Sequence, residues 1–496
     1  MSDLHAENEP GGNQPEGAAQ MRSTQHVVVV GGGISGLATA YRLLHTDDAP
    51  RVTLLEAGSR LGGKVATATV AGLPVDTGPD SLLVRMPAVR TLLDDLGLAD
   101  QVEGPAPSGA YVWTRGALRP LPPASLFGVP ERLLPLLTSG LVTPFGLLRA
   151  GADIVLPRRE LPADPTIAEL LRYRLGDQVF DRLVDPMLGG VHAGRADRLS
   201  ARSAVPEVMS LLEGARSVYL TMRRREKKPS AGPALVSLPG GMSRLLDALV
   251  AACADADLRT DSAVTSITRT DDGRYDVTLA DGSVLSADDV VITTPAYTAA
   301  TLLAELAPTA ALALASIEYV DVATVMLSYR KDQVRRPLDR TGFLVPPVDG
   351  RLLVGCSWLT SKWGHLAHDT RVVIRAMVGR DGDRRWLAMS DDEMVSAIHT
   401  ELVSAIGVTD APSEVHVQRW PAAMPQYTVG HADRLATIDA ALAAIPGIHL
   451  TGAAYRGVGL AGCISQAART ATAVLERSTS TDQDSTTHDD PFVTAR

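Results

Sequence analysis

Aromatic side chains are scarce in this chain: 5 Trp, 10 Tyr and 5 Phe make up 4% of its 496 residues. That is too few for the stacking platforms by which single-stranded nucleic acids are held. Cysteine is scarcer. Cys253, Cys356 and Cys463 form neither a CxxC pair nor an even framework, so free thiols in a reducing cytoplasm are expected. No uninterrupted apolar run approaches the roughly 20 residues a spanning helix needs. No charged segment followed by an apolar one opens the chain, so no signal peptide is expected. His365 and His368 lie three apart, but no carboxylate or cysteine set completes a metal site, and a solvated loop is expected there. GxSxG, P-loop and HExxH patterns are all missing, so redox work would fall to a cofactor. Lysine supplies only five of the 47 basic residues, which makes a single Arg weak evidence of a site. The net charge of −10 offers no global attraction for nucleic acid or anionic lipid. An anionic substrate would have to be met by local cations.

Hydrophobic residues amount to 45%, ample for packed cores in about three domains of roughly 100–200 residues. Residues 1–23 and 478–496 are polar, without an apolar face, and read as disordered tails. His26 to Val30 is an apolar, β-branched run, the pattern of a buried parallel strand. A glycine turn leads into a helix predicted over Ile34–Leu44, and a second strand follows over Arg51–Glu56. Residues 88–212 read as mostly helical, broken by Pro, with a weak strand signal at 110–113. A strand–turn–strand pattern with its turn at Asp281-Gly282 occupies 263–294, and alternating strands occupy 321–380. Near the end, a strand at 448–452 leads through a glycine-rich loop to a helix predicted over 464–476. The fold class is therefore α/β: a Rossmann-type nucleotide-binding domain assembled from 24–87, 235–300 and 416–477. The helical subdomain spans 88–212, a linker 213–234, and an inserted α+β substrate domain 301–415.

Gly31-Gly32-Gly33-Ile34-Ser35-Gly36 matches GxGxxG. Alone the string is weak, but here it follows a buried strand, opens a helix, and precedes Glu56 by twenty residues. The first motif glycine allows a tight turn, the second lets backbone approach a diphosphate, and the third packs helix on strand. The diphosphate would sit at the helix N-terminus, and Glu56 would accept hydrogen bonds from an adenosine ribose. Gly62-Gly63-Lys64 follows soon after, then Asp76-Thr77-Gly78-Pro79-Asp80-Ser81. More backbone close to the cofactor than NAD requires favours FAD. A second GxGxxG, Gly457 to Gly462, is set apart from its strand by a five-residue loop and has no later ribose acid. One bipartite site is the better account, with the last helix aimed at a flavin whose reduced form is anionic.

These motifs resemble the protoporphyrinogen/coproporphyrinogen oxidase family, within the amine-oxidase-like flavoproteins. The resemblance covers about residues 26–477. Its most specific stretches are DTGPDSLLVR at 76–85, PMLGGVHAGRADRLSARSAVPEV at 186–208, Thr360-Ser361-Lys362-Trp363, RWPAAMPQYTVGH at 419–431 and GVGLAGCI near the end. It implies non-covalent FAD held by Gly31, Gly32, Gly33, Ile34, Ser35, Gly36, Glu56, Ala57, Lys64, Gly78, Pro79, Asp80, Ser81, Val264, Trp420, Val458, Gly459 and Leu460. Two departures stand out. Ala461-Gly462 replace a usual Pro-Asp, and Ala110 stands where some members carry an Arg. The second implies that substrate carboxylates are held differently here, and Arg85, just after the GPDS loop, is a candidate cation.

GPDS together with RWPxAMPQYxVGH looks like the Gram-positive bacterial branch, which implies oxidation of coproporphyrinogen III to coproporphyrin III. Six electrons leave in three two-electron flavin cycles, with hydride passing from a bridge carbon to flavin N5 and dioxygen as acceptor, released as hydrogen peroxide. Protoporphyrinogen, an amine or a carotenoid as substrate stays open, as does a flavin-scaffolded binding protein without turnover. The implied partners are a tetrapyrrole and dioxygen, not nucleic acid. Contact with haem-pathway enzymes, or peripheral contact with the membrane, is left open. Residues 124–156 are apolar, and lining a substrate channel is favoured over lying on a bilayer.

Overall fold

The computed structural model describes residues 25–122, 125–225 and 232–486. Five parallel strands form the central sheet, in the order Asp257–Arg259, Arg51–Leu55, His26–Val30, Asp289–Ile292 and Ile448–Leu450. Successive residues of the first strand face opposite sides of the sheet. Val27 and Val29 join a core with the helices Ile34–Leu44, Ser243–Ala252 and Gly459–Thr486. Val28 and Val30 join a second core, with the antiparallel strands 264–287 and helices Ala296–Leu302 and Pro308–Ala315. Both faces are buried, which is why the strand is a continuous β-branched run. Each such side chain contributes about 1.5–3 kcal/mol relative to exposure.

The sheet is closed by a polar knot. Asp289, fully buried, accepts from Gln25 Nε2 at 2.7 Å, His449 Nε2 at 3.0 Å and Arg477 Nε at 2.7 Å. Burial pushes its carboxyl pKa upward, but His449 and Arg477 more than offset this and hold it below the ordinary value. The start of the chain's first strand, its last strand and its last helix are thereby tied to one carboxylate.

A seven-stranded sheet stands beside this unit, in the order Glu414–Pro425, Tyr319–Arg330, Arg371–Val378, Leu353–Trp358, Gly342–Leu344, Tyr111–Thr114 and Ala117–Pro120. One face packs on the helix Asp391–Ile406. The other faces the loop at 77–81, where Thr324 donates to the Thr77 carbonyl at 2.6 Å, and the helical layer, into which Val112 packs.

Several boundaries differ from expectation. The weak strand signal at 110–113 is a hairpin, Tyr111–Thr114 with Ala117–Pro120, that extends the large sheet rather than the helical layer. Residues 416–425, expected in the cofactor unit, complete a twelve-residue strand paired with Tyr319–Arg330. Within the expected linker 213–234, Val218–Arg224 is a helix whose Val218 and Met222 are buried in the helical core. The last helix runs from Gly459 to Thr486 rather than over 464–476. No Gly or Pro interrupts it after Gly462, and extending a formed helix costs far less than starting one. Residues 478–486, expected in a tail, thus belong to this helix, and the expected tails at 1–23 and 487–496 lie outside the described residues. The apolar stretch, described from 125 to 156, is divided: Val129, Leu136, Leu141, Val142 and Ala150 are buried in the helical core, whereas Leu134, Phe145, Leu148 and Val155 are 69–76% exposed, which is not how an enclosed channel is lined. Among the described residues no helix is long and apolar enough to cross a membrane.

Candidate cofactor and substrate site

The turn after the first strand is held by close backbone approach. Gly31 has φ +109°, and a Cβ there would lie 2.6 Å from Thr293 Oγ1. A Cβ at position 36 would lie 1.9 Å from the Gly31 carbonyl oxygen, so the helix seats on the strand only with glycine. Gly33, the middle glycine of the motif, has open space in front of it, with no heavy atom within 4 Å of a Cβ position. It is also the N-cap of the helix and supplies no side-chain cap. Uncapped N–H groups at a helix start, facing open space across a glycine, suit a diphosphate.

Glu56 closes one side. Its carboxylate accepts from the N–H of Gly32 at 2.8 Å and of Gly58 at 2.8 Å, which leaves lone pairs for a ribose hydroxyl. The pair Gly62-Gly63 stacks on the same turn: Gly62 N–H donates to the Gly32 carbonyl at 2.8 Å, and a Cβ on Gly63 would lie 3.3 Å from Gly33 Cα. Lys64 has an accessible side chain, yet surrounding protein depresses its ammonium pKa, the combination of a group deep in a cleft. A Cβ at Gly78 would lie 1.9 Å from the Lys64 carbonyl, and Trp420 donates from Nε1 to the Thr77 carbonyl at 3.1 Å. Val264, half-buried, begins the strand after Ser262, whose N–H bonds the Glu56 carbonyl.

The second glycine segment meets the first. Cys463 is buried against Ser35, and burial keeps its thiol pKa above the ordinary value despite Ser35 and Lys64 nearby. A neutral, enclosed thiol is a poor attachment point for a flavin. Tyr427 accepts from Gly457 N–H at 2.9 Å and donates to the Ala453 carbonyl at 2.7 Å. Gln466 donates to the Gly457 carbonyl at 3.1 Å and accepts from Arg456 N–H at 3.0 Å. Val458 leans on the helical core and Leu460 on the sheet core, so the loop sits where the two layers join. The departure at Ala461-Gly462 has a use: a Cβ at 462 would lie 2.6 Å from the Gly457 carbonyl.

Past Gly78, the loop carries buried charge. Asp80 accepts from Lys362 Nζ at 2.7 Å and faces Arg375 Nη1 at 3.5 Å. Burial alone would raise its pKa, but Lys362 and Arg375 hold it well below the carboxylate range. Asp76 behaves oppositely. It accepts from Met242 N–H at 2.9 Å and from Thr67 Oγ1 at 3.1 Å, and burial, aided by Asp80, raises its pKa to about 7. Arg85 lies exposed in the turn before the helix Pro87–Asp95. His365 is turned inward onto Glu103 at 3.1 Å rather than solvated in a loop.

The structure therefore brings the glycines 31–36, Glu56, Lys64, Trp420 and the loops at 78–81 and 458–460 into one neighbourhood at the end of the first strand. Sequence reasoning missed Thr293, Tyr427, Gln466 and Arg375 as members of it. The Thr293-Thr294-Pro295 end of a buried strand was the available signal for the first.

The description "Flavin containing amine oxidoreductase" belongs to a family model that matches residues 34–475. A coproporphyrinogen III oxidase of Mycobacterium leprae is 36% identical over 89% of this chain and 96% of its own. One of Bacillus subtilis is 32% identical over 89% and 96%. A solved structure from Exiguobacterium sp. superposes with a TM-score of 0.82 at 32% identity, covering 92% of this chain and 100% of that one.

Two outcomes follow from the geometry. Glu56→Ala should weaken FAD binding by on the order of 1–3 kcal/mol, through loss of a charged hydrogen-bond acceptor. Titration of the apoprotein with FAD reads this directly, and unchanged affinity would remove Glu56 from the site. For Asp76, the folded pKa of about 7 lies above the ordinary 3.8, so its contribution to stability is full below about 3.8 and lost as pH rises through 7. Asp76→Asn keeps a carbonyl acceptor without the charge. Its free energy of unfolding, read by denaturant titration, should gain on the parent's as pH climbs from 4 to 7, with a slope of up to about 1.4 kcal/mol per pH unit, and level off above. A difference that does not change with pH would show Asp76 to be ionised throughout.

Proposed function

The chain belongs to the flavin containing amine oxidoreductase family, and from that premise we propose that it is an FAD-dependent oxidase of haem biosynthesis that converts coproporphyrinogen III to coproporphyrin III. The reading is carried by one observation above all: relatives named for this activity align along nearly their whole length with a chain whose glycine cleft is built for a dinucleotide. When bound, FAD supplies the redox chemistry, taking up two electrons at a time from the substrate and yielding them to dioxygen.

In this reading the parallel sheet is a Rossmann-type platform. The N–H groups at Gly33 to Gly36 hold the diphosphate, and Glu56 orients the ribose, with Ala57 and Val264 on the adenine side. Lys64, Gly78 to Ser81, Trp420 and Val458 to Leu460 would hold the flavin part, and the N-terminus of the last helix would favour negative charge there. Segments 24–87 and 235–300 with the C-terminal segment hold the cofactor, while 88–212 and the large sheet enclose the substrate. Three hydrides and three protons leave the substrate in all, two of the protons from pyrrole nitrogens and one from the fourth bridge carbon, and the protons pass to water. Arg85 stands as a cation at the mouth. The exposed patch of Leu134, Phe145, Leu148 and Val155, with Arg132 and Arg159 exposed nearby, serves as a peripheral resting face on anionic lipid.

Oxygen consumption by the holoenzyme on a panel of porphyrinogens, amines and carotenoid precursors tests the reaction. Highest kcat/KM is expected for coproporphyrinogen III, and a preference for protoporphyrinogen or an amine would replace the substrate. Flotation tests the patch: the protein should rise with anionic phospholipid vesicles, and a Phe145→Glu/Leu148→Glu variant should stay below. Wild-type protein that stays below as well would refute the lipid contact.

A further inference from the structure

Arg375 lies in the strand Arg371–Val378, opposite Met326 on one neighbour and Ser357 on the other. Its sequence neighbours Ile374 and Ala376 point into the core beneath the helix Asp391–Ile406. Arg375 therefore points the other way, to the face where Thr324 reaches the loop at 77–81. Its residue surface is 92% buried, 8% being exposed. A guanidinium offers five N–H donors. Among the described residues the one ion pair formed by Arg375 is with Asp80 Oδ1, at a long 3.5 Å, and its buried Nε has no hydrogen-bond partner.

Asp80 already accepts from Lys362 Nζ at 2.7 Å on its other oxygen and from Ser81 Oγ at 3.2 Å on Oδ1, and gives Arg375 only the long contact. Lys362 in turn is held over the Trp363 ring, 4.6 Å from its centroid. The next carboxyl along the loop, Asp76, spends its oxygens on Met242 N–H and Thr67. Two buried cations thus share one carboxylate, an arrangement that is costly unless a further anion completes it. Asp80 and Lys362 fix the geometry, while Arg375 keeps open donors in the planar array that suits a carboxylate.

We infer that Arg375 is a substrate-binding residue: together with the Asp80–Lys362 pair it forms a buried subsite for one propionate carboxylate of the tetrapyrrole. The inference rests on the proposed activity and assigns it a specificity element. Ala110, which offers no cation, lies at the start of a strand three positions along the same sheet, roughly 14 Å away at the usual spacing between strands. The sheet thus carries its carboxylate anchor at Arg375 rather than at that edge.

The test uses holoenzyme and the product, coproporphyrin III, as an equilibrium probe, with its tetramethyl ester as the uncharged control. Wild type should bind the free acid more tightly than the ester. Arg375→Met should raise the Kd for the acid roughly tenfold or more while leaving that for the ester nearly unchanged, and Arg375→Lys should fall between. With coproporphyrinogen III, the rise in KM should exceed the fall in kcat. The position is overturned if acid and ester are affected alike, or if the variants shift only FAD affinity and flavin reduction potential, which would make the cofactor's carbonyl edge the acceptor. Should Arg375→Met fail to fold, Arg375→Lys carries the same comparison. Wild-type enzyme that does not oxidise coproporphyrinogen III would refute the proposed activity, whereas normal wild-type turnover with unaltered binding by the variants would refute the subsite alone.

Discussion

The Gly31 carbonyl oxygen sits where any Cβ at position 36 would have to go. That single contact lets the first helix descend onto the first strand, so that its N-terminus opens at the end of the sheet and not above it. The same device recurs. Gly78 lies against the Lys64 carbonyl, and Gly462 lies against the Gly457 carbonyl. Each of these contacts tightens its own segment by backbone touching backbone, at distances no side chain permits, while the Gly62 N–H on the Gly32 carbonyl and Cys463 against Ser35 join one segment to another. A site made this way is rigid because its walls are peptide planes, fixed by cores on both sides of the sheet.

Around that rigid backbone the charges are arranged by depth. Glu56, half-buried, spends its carboxylate on two N–H groups and remains available at the surface of the cleft. Asp76 and Asp80 are four residues apart on one loop, yet their protonation tendencies are opposite. Asp76 has only a backbone amide and a hydroxyl to offset burial, whereas Asp80 has two cations. In a chain of net charge −10, Lys362 and Arg375 thus give this loop local positive charge.

Much of this was legible in the residues. The helix Ile34–Leu44, the turn at Asp281-Gly282 and four strands of the central sheet follow from local signals, β-branched runs, glycine turns and 3.6-residue periodicity, whereas the edge strand Asp257–Arg259 does not. What was not legible depends on partners distant in sequence. Residues 416–425 are strand because Tyr319–Arg330 lies beside them, and nothing in RWPAAMP alone says so. The helix Val218–Arg224 exists because Val218 and Met222 find a core. Arg375 is one arginine among many, and only its burial against an already occupied Asp80 sets it apart. The outward turn of Phe145 and Leu148 was invisible because apolar composition does not say which way a short helix faces.

The polar knot at Asp289 has a consequence for how the protein is made. The central sheet takes one edge strand from Ile448–Leu450 and its covering helix from the residues after Gly459, while its middle strand, His26–Val30, is made well before either. Until His449 and Arg477 emerge, Asp289 has neither of its cationic partners and the first helix lacks the helix that covers it. The early strands must therefore wait, with an apolar face uncovered, through synthesis of both intervening layers. Cofactor capture is in this sense a late event of biosynthesis, and the nascent chain has a long window in which it needs shielding.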